Sequence, residues 1–68
     1  MTLKEFRVEL GWNHKKLAEE AGLSRQAISH AESGQRISAI TAKALADALS
    51  KGYDRQILVR EIEGLNIV

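Results

Sequence analysis

The chain has 68 residues, no cysteine and a formal net charge of +1. A chain this short buries only about 60% of its unfolded surface, so one small domain over residues 1–68, with a core that oligomerisation would help, is the expectation. The missing cysteines exclude disulfides, thiolate zinc sites and a cysteine nucleophile, and no apolar run approaches the roughly 20 residues of a membrane span.

Thr2 and Glu5 have the spacing of a capping box, which predicts a helix from the first residues onward with Leu3, Phe6 and Leu10 on one face and Arg7 beside them. The opening MTLKEF is too charged for a signal peptide, and a cytoplasmic protein is expected. Gly11 should end this helix, and Trp12 is placed to plug the junction with the next. Asn13 is a natural N-cap for a second helix from His14 to about Ala21, with Lys15 and Lys16 outside. The positive end of that helix suits a phosphate oxygen, so Asn13, His14, Lys15 and Lys16 are candidate phosphate contacts.

Gly22 then interrupts the helical pattern at a sharp turn that asks for a left-handed residue. Ser24 can cap a third helix ending at Glu32, with Leu23, Ile28 and Ala31 facing inward and the small Ala18 where the two helices would cross. The outward face carries Arg25, Gln26, Ser29 and His30, with no apolar residue among them. After a turn at Ser33–Arg36, Ser38 caps a fourth helix whose core stripe is Ala39, Ala42, Leu45, Ala46 and Leu49; Lys51-Gly52 should stop it and Tyr53 should pack behind it. A second apolar row of Ile40, Ala44 and Ala48 remains, so this helix is either deeply sandwiched or meets another chain along part of it. In the last segment Asp54 can cap a fifth helix to about Glu61, whereas Ile57 and Val59 alternate as in a short strand; the helix is preferred. Gly64 should break it, leaving Leu65, Ile67 and Val68 as an apolar tail that ought to dock.

Residues 14–34 thus read as a helix-turn-helix. Leu17-Ala18, Ala21-Gly22-Leu23-Ser24, Ile28 and Glu32-Ser33-Gly34, with Leu10-Gly11-Trp12-Asn13 before and Leu45-Ala46-x-Ala48-Leu49 after, resemble the Xre-like helix-turn-helix family of phage repressors and Cro. The resemblance covers about residues 3 to 58 and implies an all-α, compact four- to five-helix, lambda-repressor-like DNA-binding domain. It implies that the third helix lies in the DNA major groove and that a homodimer binds a near-palindromic operator in double-stranded DNA. It implies further that Arg7 pairs with Glu32 and that Arg36, in the loop after the third helix, touches the DNA backbone. In the family the His14 position most often holds a glutamine that contacts the backbone and braces the recognition helix; here it is histidine.

Chemically, Arg25 can grip guanine and Gln26 adenine bidentately, with Ser29 and His30 one turn further along. Outside the motif, the same face would be an ordinary solvated one. No carboxylate pair, glycine-rich phosphate loop or metal-ligand spacing suggests an enzyme or a cofactor. The rival reading is an antitoxin or antirepressor that keeps this fold but binds a protein partner. The modest net charge and the spare apolar rows favour it, with Ile40, Ala44, Ala48, Leu65, Ile67 and Val68 as the docking or dimerisation surface.

Overall fold

The computed structural model describes residues 1–68. Four α-helices, α1 (Leu3–Glu9), α2 (His14–Ala21), α3 (Arg25–Glu32) and α4 (Ala39–Tyr53), surround one core, and no helix is long and apolar enough to cross a membrane. Each start has a local chemical cause. Thr2 and Glu5 close their capping box; Asn13, Ser24 and Ser38 accept hydrogen bonds from the backbone N–H groups of Lys16, Ala27 and Thr41. Between α2 and α3, Gly22 takes the left-handed conformation at φ 69°, as the sharp turn requires.

Leu17, Ile28, Leu45 and Leu49 are fully buried, one or two from each of α2, α3 and α4, and Leu3 and Phe6 close the core from α1. Ala18, 4% exposed, lets α3 approach α2 closely. Trp12 packs against the core at the α1–α2 junction. Tyr53 packs edge-on against Phe6, with ring centroids 5.7 Å apart, and its hydroxyl donates to Phe6 O at 2.9 Å.

Several expectations fail in the second half. Gly52 does not stop α4; the helix runs through it to Tyr53 and ends where Asp54 adopts the left-handed conformation at φ 54°. Asp54 therefore caps the C-terminus of α4 and opens no fifth helix. The segment Asp54–Glu61 holds only a short 3-10 helix, Val59–Glu61. Ile57 and Ile62 both enter the core, at a five-residue spacing that no single helical face can supply. Ser50 Oγ also takes the Ile57 N–H at 2.7 Å, fastening the loop to α4. Ala39, expected in the core stripe, is exposed, while Ala48, a candidate for the dimer surface, is 3% exposed and part of the core, so at this position the helix is sandwiched. The reason is that α4 is covered both by α2 and by the 3-10 turn, so it needs apolar residues on more than one side.

The apolar tail docks as a strand. Asn66–Ile67 (β2) lies parallel to Arg36–Ile37 (β1), and Val68 N–H donates to Ile37 O at 2.9 Å. Leu65 is thereby packed against the core, while Ile67 and Val68 stay 40% and 65% exposed. Glu63 meets the other end of the chain, its N–H donating to Met1 O and its carboxylate accepting from the N-terminal ammonium.

Candidate nucleic-acid interface

Ile28 and Ala31 anchor α3 to the core, which turns Arg25, Gln26, Ser29 and His30 to the opposite side of the helix. The N-terminus of α2 lies alongside. Together they form one open cleft lined by eight side chains, none of them apolar: the four on α3, Asn13, His14 and Lys15 from α2 and its cap, and Arg7 from α1. Its lining holds no acid, and beside Arg7, whose charge a carboxylate behind the cleft offsets, it presents the cations Lys15 and Arg25, so positive charge is gathered here although the whole chain carries only +1.

Two of the expected phosphate contacts lie outside this cleft. Lys16 bonds Glu20 at 3.0 Å and sits 5.8 Å from the Trp12 ring, and Arg36 is an exposed residue of β1. The wall behind the cleft is built on Glu32. Arg7 donates from Nε to Glu32 Oε2 at 2.6 Å and from Nη2 to Oε1 at 3.2 Å, while its Nη1 holds the Trp12 carbonyl at 2.9 Å. One arginine thus ties α1, the α1–α2 junction and the end of α3 together.

His14 completes the cluster, with its Nε2 3.2 Å from Glu32 Oε1. Sequence reasoning missed this contact. The signal available was that a carboxylate has acceptor sites beyond those a single guanidinium fills. Burial pushes the Glu32 carboxyl upward, but the hydrogen bonds from Arg7 and His14 outweigh it and hold the group below its ordinary value. Glu32 is therefore ionised at neutral pH and acts only as an acceptor.

The arrangement matches what the comparisons find. A helix-turn-helix family model covers residues 3–55, and no curated protein or solved structure gives a significant match. That span takes in α1, both helices of the motif and all of α4. With a polar, cationic face on the second helix of the motif and a family match over most of its length, the chain belongs to the Xre-like helix-turn-helix family of DNA-binding domains.

Proposed function

We propose that this chain is a cytoplasmic transcription regulator of the repressor or Cro type, which reads a near-palindromic operator as a homodimer. The observation that carries the proposal is the cleft. Seven polar side chains from α3, α2 and its cap converge on one surface with no apolar residue among them, which is what a helix laid in the major groove would need. Arg25 and Gln26, at the start of α3, have the donors and acceptors for guanine and adenine edges, with Ser29 and His30 one turn on. Asn13, His14 and Lys15 at the positive end of α2 suit the phosphates and would fix register. The test is selection of bound duplexes from a random pool, followed by affinity against salt on the selected site. An enriched inverted repeat and a steep salt dependence are expected; absence of enrichment at low salt rejects the proposal.

The homodimer reading has its own support. The sheet has only two strands, so β2 keeps an open edge, and Ile67, Val68 and the 83%-exposed Ile40 leave apolar surface to solvent. These same residues favour the second reading, an antitoxin or antirepressor that binds a different protein. A complex of that kind would be insensitive to salt where DNA binding is steep.

A further inference from the structure

We propose that His14 grips a DNA phosphate only in its doubly protonated form, so that DNA binding by this chain takes up a proton at His14. The inference rests on the DNA-binding proposal above. The ionised Glu32 carboxylate has no hydrogen to give, so across the 3.2 Å contact His14 Nε2 is the donor. That fixes the single hydrogen of the neutral ring on Nε2 and leaves Nδ1 as a bare lone pair. Nδ1 has no hydrogen-bond partner in the protein, the side chain is 41% exposed, and the residue lines the cleft where phosphate is expected.

A lone pair and a phosphate oxygen are two acceptors, and they repel. A second proton turns Nδ1 into a charged donor and the contact into an attraction. Moving the neutral hydrogen to Nδ1 instead would set the Nε2 lone pair against Glu32, which Arg7 holds in place with two bonds. The charged groups around the ring are Arg7 from α1, Lys15 on its own helix, and Arg25, His30 and Glu32 on α3. Of these only Glu32 favours the imidazolium. A bound phosphate supplies further negative charge, so the protonated form is favoured more in the complex than in the free protein. By linkage, affinity must then fall as pH rises.

The test measures binding of a mixed-sequence duplex of about 20 base pairs at fixed low salt, from about pH 5.5 to 8.5, the range in which histidines change charge. Wild type should lose affinity with rising pH, approaching about tenfold per unit where the dependence is steepest. His14→Gln should bind with a profile flatter than wild type, because its amide donates at any pH. In the wild type, NMR titration of the His14 ring with and without the duplex should show its midpoint displaced upward by DNA; this readout needs no variant to fold. A flat wild-type profile, a slope as steep in His14→Gln as in wild type, or a His14 midpoint unmoved by DNA overturns the inference and leaves the DNA-binding proposal standing. Failure to bind the duplex at any pH overturns both.

Discussion

Arg7 and Glu32, 25 residues apart in sequence, meet as a two-pronged ion pair, and each side chain keeps only about a tenth of its exposure (11% and 10%). Removing one partner strands the other in a nearly dry site. Glu32→Ala should cost about 2 to 4 kcal/mol, since the site is not fully closed to water, and Arg7→Ala should cost a similar amount. Glu32→Gln isolates the charge. Because the folded-state value of Glu32 is depressed, its stabilisation is present above its unfolded value near 4.5 and is lost as pH falls through the folded value. The difference in melting temperature between wild type and Glu32→Gln should therefore be full at pH 6 to 7 and should collapse as acid is added below about 4.5. A gap that persists at the lowest pH would show that the carboxylate charge is not what stabilises the fold.

Separating base readers from phosphate holders gives a second expectation. Arg25→Ala and Gln26→Ala should each cost about 1 to 3 kcal/mol on the selected site and relax preference at particular base pairs. Lys15→Ala should weaken all sequences alike and reduce the salt slope by about one unit. Lys16→Ala should alter that slope less, because Lys16 turns away to Glu20 and Trp12. Salt titrations of the four variants decide it; equal slopes for Lys15→Ala and Lys16→Ala would contradict the cleft as the DNA-facing surface.

The first half of the chain was legible because its signals are local. Thr2 and Glu5, Asn13 and Ser24 act on backbone groups a few residues away, and Gly22 acts on its own dihedral angles. The second half depends on groups far apart in sequence. Whether Asp54 opens a helix or closes one depends on where Ile57 and Ile62 find burial, and β2 exists only because β1 offers it an edge. In the site, the residue types facing outward from α3 followed from helical period, and the Arg7–Glu32 pair came from family likeness. The His14–Glu32 contact needed the actual distance between α2 and the end of α3, which no periodicity supplies.

Gly22 and Gly52 test two different uses of glycine. At Gly22 an added Cβ meets nothing within 4 Å, so only the left-handed backbone matters. Gly22→Val should cost more than about 1 kcal/mol and Gly22→Asn less, since asparagine tolerates that conformation. At Gly52 the backbone is helical, but a Cβ would stand 2.8 Å from two carbons of the Trp12 ring and 2.9 Å from Leu10 Cδ1. Alanine there gains about 1 kcal/mol in helix propensity and loses about 1 to 3 kcal/mol to overpacking. Gly52→Ala should thus melt below wild type, with altered tryptophan fluorescence, and Trp12→Leu should shrink the penalty. A variant more stable than wild type would show that the indole moves aside freely.

The proposed homodimer yields the last expectation, because the register of β2 assigns each backbone group an edge. Val68 N–H bonds to Ile37, and residues in a strand send their N–H and C=O to alternate sides, so those of Ile67 point away from β1. Two antiparallel copies of β2 meeting on a two-fold axis would pair Ile67 with its own counterpart, each giving one N–H and accepting one in return. Ile67 and Val68 would lose exposed apolar surface in the same step, which suits a chain with so small a core. Ile67→Pro deletes the one N–H that such a pairing needs and leaves the bond from Val68 to β1 intact. Sedimentation at micromolar concentration should find wild type dimeric and Ile67→Pro monomeric, with the circular dichroism of the two alike. On an inverted-repeat site the variant should bind with lost cooperativity while its affinity for a half-site is unchanged. A proline variant that still dimerises would exclude the β2 edge as the interface, and a wild type that stays monomeric on DNA would exclude the dimer itself.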